Sequence, residues 1–82
     1  MANRIVVVDD EPITKMDLKE LLEEAGYTVV GQASDGFEAI DVCKDKQPDL
    51  VIMDIKMPIL DGLKASKKIM HDRLAGGILL LT

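Results

Sequence analysis

Short apolar runs alternate with longer amphipathic stretches along the 82 residues of this chain. The first run, Arg4–Val8, is rich in β-branched residues and almost continuously apolar, which is typical of a strand covered on both faces. Thr28–Ala33, Leu50–Met53 and the final letters ILLLT, residues 78–82, are predicted as further strands. Such alternation predicts an α/β fold in the order βαβαβαβ, with a parallel sheet and helices on both of its faces.

Three amphipathic stretches are predicted as helices. The first begins near Pro12, which a first helical turn tolerates, and ends at Gly26. The second begins after Asp35-Gly36, and the third runs from about Leu63 to Asp72. The spacing predicts that the following residues of the three helices face the core: Ile13, Met16, Leu21, Leu22, Ala25; Phe37, Ile40, Cys43; Leu63, Ser66, Ile69 and Met70.

Composition and net charge argue against several classes of protein. A net charge of −5 argues against a nucleic-acid-binding surface in this chain. The single cysteine, Cys43, has no partner for an internal disulfide, which fits a reducing compartment. The apolar run at the N-terminus stops at an acidic triplet, unlike a signal peptide, and no stretch has the length of a membrane span. We therefore expect a soluble cytoplasmic protein.

Acidic residues follow two of the predicted strands. Asp9 and Asp10 follow the first strand, Asp54 follows the third, and Thr82 ends the fourth. Ligands of open parallel sheets bind outside the carboxyl ends of the strands. If the first and third strands are neighbours, their carboxylates repel one another by about 4 kcal/mol at ~4 Å and an effective dielectric constant of about 20. A shared proton or a cation must relieve that repulsion.

Oxygen ligands in an incomplete cage suit Mg²⁺, which keeps several waters and accepts phosphate oxygens. An aspartate beside the metal can then act as a nucleophile and form an acyl phosphate. The alternative is that Asp9 or Asp10 only caps the helix before Pro12, which is the commoner role of an isolated aspartate. Three acids together with a terminal threonine favour the metal site.

The stretches VVVDDEP, VIMDIKMPILDG and ILLLT resemble the receiver domain of two-component response regulators, in order and across all 82 residues. The resemblance implies a flavodoxin-like receiver fold. It also implies that Asp54 is the phosphoacceptor for a sensor histidine kinase. Asp9, Asp10, Asp54 and the backbone carbonyl of Lys56 would bind Mg²⁺, and Thr82 would be the switch hydroxyl.

The same resemblance assigns Pro58 and Asp61-Gly62 to the loop that leads into the third helix. It implies a signalling protein rather than an enzyme, which controls an output such as transcription. Residues 1–82 would form a receiver truncated before the fifth βα unit, without an output domain for nucleic acid and without the family's phosphate-binding lysine. The fourth strand would then be an unpaired edge, so we expect the chain to self-associate.

Two alternatives remain open. One is a phosphorylation-incompetent fragment in which the acids only bind a cation or the chain only assembles. The other is a phosphohydrolase with an aspartyl nucleophile. Such enzymes commonly place a second aspartate two residues after the nucleophile as an acid/base group. Lys56 occupies that place, which counts against the hydrolase.

Overall fold

The computed structural model describes residues 3–57 and 59–81, so Pro58 and Thr82 lie outside the described residues. Strands and helices alternate, which confirms the order expected from the sequence. Their bounds are β1 Arg4–Val8, α1 Pro12–Glu24, β2 Thr28–Ala33, α2 Gly36–Lys46, β3 Leu50–Asp54, α3 Gly62–His71 and β4 Ile78–Leu81.

The four strands form one parallel sheet in the order β2-β1-β3-β4. Val8, the last residue of β1, lies opposite Ala33 of β2 and Met53 of β3. Asp54 lies opposite Leu81 of β4. Because β1 and β3 are neighbours in the sheet, the acidic residues that follow them meet at one edge.

Side chains of the strands alternate between two apolar layers, as the two-residue period of a strand requires. One layer lies beneath α2 and α3 and includes Val6, Val8, Val51, Met53, Ala39, Ile40, Cys43, Ala65 and Ile69. The other lies beneath α1 and contains Ile5, Val7 and Ile52, with Leu18, Leu22, Val29 and Leu50 at its border. Helices on both faces of the sheet are thereby confirmed.

The core-facing side of α1 differs from the expectation. Ile13, Met16 and Leu21 are 68%, 54% and 63% exposed. The sheet is instead contacted by Leu18 and Leu22, which lie one turn apart. The helix carries apolar residues on nearly every side, so spacing alone could not select the buried one. The predicted stripe was therefore wrong except for Leu22, and Ala25 lies beyond the helix and is exposed.

The other two helices follow the expectation more closely. Ile40 and Cys43 of α2 and Ile69 of α3 are buried, as predicted. The predictions that were wrong are Phe37, Leu63 and Met70, which are 58%, 49% and 46% exposed. Small residues take the helix positions nearest the sheet, namely Ala39 and Ala65. They allow close packing, and the larger side chains project outward.

Candidate metal centre

The turn after β1 places the first aspartate in the interior. Asp9 donates its backbone N–H to the carbonyl of Ala33 at 3.1 Å, which continues the pairing of β1 with β2. Its Oδ1 accepts the backbone N–H of Glu11 at 2.9 Å. The side chain is only 7% exposed. These two hydrogen bonds fix the carboxylate of Asp9 at the carboxyl edge of the sheet.

The capping alternative fails for both acids of this turn. The N-cap position of α1 is Glu11, and no side chain accepts a capping hydrogen bond there. Asp9 lies two residues before that position, and Asp10 is exposed. By contrast, Asp35 and Asp61 cap α2 and α3, since their Oδ1 atoms accept the N–H groups of Glu38 and Lys64. Asp9 and Asp10 therefore need another explanation.

The end of β3 carries the third carboxylate. Asp54 is half-buried, and its Oδ1 accepts the backbone N–H of Lys56 at 3.0 Å. The carbonyl of Ile55 accepts the N–H groups of Met57 and Gly62, so the chain turns back sharply after the strand. A Cβ on Gly62 would lie 2.4 Å from the Asp54 carbonyl oxygen. Glycine is thus required where α3 begins against the acidic strand end.

The three acids converge as their positions at the strand ends predict. One carboxylate oxygen from each of Asp9, Asp10 and Asp54 lies within 4.8 Å of the others. Exposure increases from Asp9, which is buried, through Asp54 to Asp10. A site that is closed on one side and open on the other leaves room for ligands from solvent.

Burial raises the pKa of Asp9 above its ordinary value, and the hydrogen bond from the Glu11 N–H acts in the opposite direction. The negative charges of Asp54 and Asp10 raise the pKa further. The cause is ordinary electrostatics, because removing a carboxylate from water and placing it beside other carboxylates both disfavour its charged form. A cation bound among the three groups would reverse this effect.

The donor set fits Mg²⁺. All three side chains offer oxygen, which is the ligand atom that hard divalent cations prefer, and they form only part of a coordination shell. Within residues 3–57 and 59–81, no hydrogen bond occupies the carbonyl oxygen of Lys56, two residues after Asp54. That oxygen is the further ligand that the resemblance to receiver domains implies.

A lysine that the sequence did not indicate as a site residue, Lys15, lies at the same edge of the sheet. The ammonium group of Lys15, in the first turns of α1, hydrogen-bonds to Oγ of Ser34, just after β2. The backbone N–H of Ser34 in turn donates to Oε1 of Glu38. The only sequence signal is that Lys15 lies near the start of a helix that follows an acidic strand end. Its partner becomes visible only once β1 and β2 are paired.

Each of the described helices is too short or too polar to cross a membrane.

Comparison with known proteins gives a consistent result. The family described as response regulator receiver domain matches residues 5–82. Transcriptional regulatory protein PdtaR from Mycobacterium tuberculosis is 47% identical over 72 residues, which is 88% of this chain and 35% of that protein.

Two solved structures are similar across most of the chain. The response regulator domain of Thermotoga maritima CheB has a TM-score of 0.88 at 36% identity, covering 98% of this chain and 60% of that one. The CheX–CheY–BeF3–Mg²⁺ complex from Borrelia burgdorferi has a TM-score of 0.83 at 29% identity, covering 94% and 59%.

The chain spans about a third to three fifths of the length of these relatives. The fold is the flavodoxin-like fold of receivers, as the sequence predicted. Because the family match includes all but the first four residues, the chain belongs to the response regulator receiver domain family.

Proposed function

We propose that this chain accepts a phosphoryl group on Asp54 from a sensor histidine kinase, with Mg²⁺ bound by Asp9, Asp10, Asp54 and the backbone carbonyl of Lys56. A phosphoacceptor role is general for the receiver family. The observation that carries the proposal is the convergence of three carboxylates within 4.8 Å at the end of β3. The similar CheY in complex with BeF3 and Mg²⁺ supports the choice of metal and of phosphoryl chemistry.

In this proposal the backbone of Lys56 orients the carboxylate of Asp54, and that carboxylate attacks the phosphorus atom. The Lys56 N–H holds Oδ1 of Asp54 and so limits rotation of the carboxylate. The other oxygen, Oδ2, attacks phosphorus in line with the leaving group. A P–O bond to Asp54 forms as the P–N bond of the phosphohistidine breaks, and the histidine nitrogen leaves with the electron pair. Mg²⁺ bound by these residues would supply positive charge that offsets the charge on the transferring phosphoryl oxygens.

Asp9 and Asp10 differ in what they contribute. The buried position of Asp9 would give the metal a fixed ligand, because two backbone contacts determine where its carboxylate lies. Asp10 is exposed and offers its oxygen from the solvent side. A cation bound among the three acids would lower the repulsion between their carboxylates.

Phosphorylation would change the charge at the end of the sheet. A phosphoryl group adds nearly two negative charges at pH 7. In the sheet Asp54 lies opposite Leu81, so the change would occur beside the end of β4. Thr82, the proposed switch hydroxyl, lies outside the described residues, and its role stays a prediction.

We propose that the chain works in the cytoplasm and controls an output such as transcription through a separate domain. PdtaR is named a transcriptional regulatory protein, and this chain matches about a third of it. The acidic surface of the chain makes direct contact with nucleic acid unfavourable. We propose that it is a signalling protein and not an enzyme with its own substrate.

Acetyl phosphate tests the proposal without a kinase. The chain is incubated with acetyl phosphate and Mg²⁺ and its intact mass is measured. We expect an adduct of about 80 Da, the mass of one phosphoryl group, in wild type and none in Asp54→Asn. Chelation of Mg²⁺ should suppress it. A chain that binds Mg²⁺ but gains no mass would favour the metal-binding alternative, and sustained release of phosphate would favour the phosphohydrolase.

A further inference from the structure

Helices α1 and α3 present outward faces of opposite charge, each with exposed apolar residues. The α1 face consists of Ile13, Asp17, Glu20, Leu21 and Glu24. The α3 face consists of Leu63, Lys64, Lys67 and Met70. We propose that the α1 face of one copy of this chain docks on the α3 face of a second copy.

The α1 face is continuous along the helix. Ile13, Asp17, Glu20 and Glu24 follow one another at spacings of three and four residues, and Leu21 lies next to Glu20, so all five lie on one side of the helix. Ile13 and Leu21 are 68% and 63% exposed. Asp17, Glu20 and Glu24 surround Leu21 and line a shallow depression with it. Exposed apolar side chains bordered by charge are typical of protein interaction surfaces.

The charges of α1 are unfavourable for the isolated helix. Asp17 and Glu20, and Glu20 and Glu24, are like-charged neighbours at i,i+3 and i,i+4, which destabilises a helix. No basic residue lies in the last turn, where a cation would complement the helix dipole. Within residues 3–57 and 59–81 none of these three acids forms an ion pair. An external cationic surface would relieve the repulsion.

The α3 face has the complementary composition. Leu63 and Met70 are 49% and 46% exposed. Lys64 and Lys67 lie between them, are exposed, and form no ion pair in the part of the chain that the structure describes. The neighbouring Lys68 is already paired with Asp72 at 2.8 Å. Lys64 and Lys67 are therefore the cations that remain for a partner.

The two faces also match in length. Ile13 and Leu21 are eight residues apart and Leu63 and Met70 seven, which corresponds to about 12 Å and 10 Å along a helix. In the α1 face two acidic residues lie between the apolar ends, and in the α3 face two lysines lie there. Two helices packed at the usual distance of about 8–10 Å would bring these groups together.

The occupant is a second copy, because each chain carries both complementary faces but cannot bring its own two faces together. α1 packs on one side of the sheet and α3 on the other, as their separate apolar layers show. Both halves of the contact are nevertheless present in the same sequence. A contact between different surfaces of identical chains is heterologous, so it joins copies into rings or open chains.

Ionic strength distinguishes this contact from general repulsion. The chain carries a net charge of −5, so unspecific repulsion predicts more association as salt is added. The proposed contact predicts the reverse, since salt screens exposed opposite charges over about 10 Å at 0.1 M. Light scattering of the 82-residue chain at several concentrations should show a higher mass at low salt than at high salt. A mass that is constant, or that rises with salt, contradicts the proposal.

Charge reversal gives the specific test. The variant Lys64→Glu/Lys67→Glu and the variant Asp17→Lys/Glu20→Lys should each weaken self-association at low salt by roughly tenfold or more, because like charges then face each other. An equimolar mixture of the two should associate again, since the reversed faces complement each other. Failure of the mixture to recover association overturns the proposal.

Matched controls carry the same charge changes on exposed positions of α2, outside both faces. They are Lys44→Glu/Lys46→Glu and Asp41→Lys/Asp45→Lys, and both should leave the salt-sensitive association in place. If the reversed chains do not fold, judged by circular dichroism, Ile13→Ser and Met70→Ser provide the test, because both side chains are exposed and dispensable for the core. Association unchanged in these two variants would also contradict the contact.

Discussion

At the scale of single residues, Asp9 is the buried carboxylate of the site. It is buried, and its pKa is raised by that burial and by two neighbouring carboxylates. A folded-state pKa above the unfolded value means that the folded chain holds the proton more tightly. The resulting stability is present at low pH and is lost as pH rises from the ordinary value of 3.8 through the raised one.

Asp9→Asn should therefore stabilise the metal-free protein at pH 7, by a few degrees in melting temperature. The amide oxygen can still accept the Glu11 N–H, while the buried charge is gone. Thermal unfolding in chelator between pH 4 and pH 8 checks this, since the variant should show a smaller loss of stability with rising pH. A variant less stable than wild type throughout would show that repulsion does not dominate at this position.

Mg²⁺ should make wild type more stable than Asp9→Asn, which reverses the order of their melting temperatures. An ion at 100 times its dissociation constant adds about 2.7 kcal/mol to the free energy of unfolding, and each kcal/mol raises the melting temperature of a small domain by about 4–8 °C. Wild type should gain this increment, and Asp9→Asn, Asp10→Ala and Asp54→Asn should gain less. A wild-type melting temperature that does not respond to millimolar Mg²⁺ would count against the metal site.

At the scale of elements, the start of α3 is held against the end of β3. A Cβ at Gly62 would lie 2.4 Å from the Asp54 carbonyl oxygen and 2.8 Å from Cα of Ile55, and backbone atoms cannot yield cheaply. Gly62→Ala should lower the free energy of unfolding by about 1–3 kcal/mol. Gly77→Ala is the matched control, since its Cβ would meet only a Leu50 side-chain atom at 3.8 Å. Equal urea midpoints for the two variants would refute this account.

The sequence predicted every strand and helix to within a few residues, because apolar runs ending in acids and helices bounded by proline, glycine and aspartate are strong local signals. The convergence of Asp9, Asp10 and Asp54 also followed, once β1 and β3 were assumed to be neighbours. The buried side of α1 could not be predicted from the sequence, since the helix is apolar on several sides. The contact of Lys15 with Ser34 depends on pairing between distant segments and leaves no local pattern.

At the scale of the whole molecule, β4 is an edge of the described sheet. Leu79 and Leu81 are 50% and 37% exposed, while Leu80 packs against the core beneath α2 and α3. An apolar edge strand without charge or proline is a template for pairing. We expect association through β4 that persists at high salt, in contrast to the α1–α3 contact.

Leu79→Lys should weaken the association that remains at high salt, because it places charge on the exposed side of β4. Leu80→Lys would be a poor test, since it would disturb the core as well as the edge. Sedimentation equilibrium at high salt measures the effect, with Leu63→Lys on α3 as an exposed control. A monomer under these conditions in wild type would exclude pairing through β4.

The most direct test of the central claim locates the phosphoryl group on one of the three aspartates. After reaction with acetyl phosphate and Mg²⁺, borohydride reduces an aspartyl phosphate to homoserine, and fragmentation mass spectrometry then identifies the position. We predict homoserine at position 54, with unchanged aspartate at positions 9 and 10. Homoserine at position 9 or 10, or at none of the three in a chain shown to be folded and bound to Mg²⁺, would contradict the account.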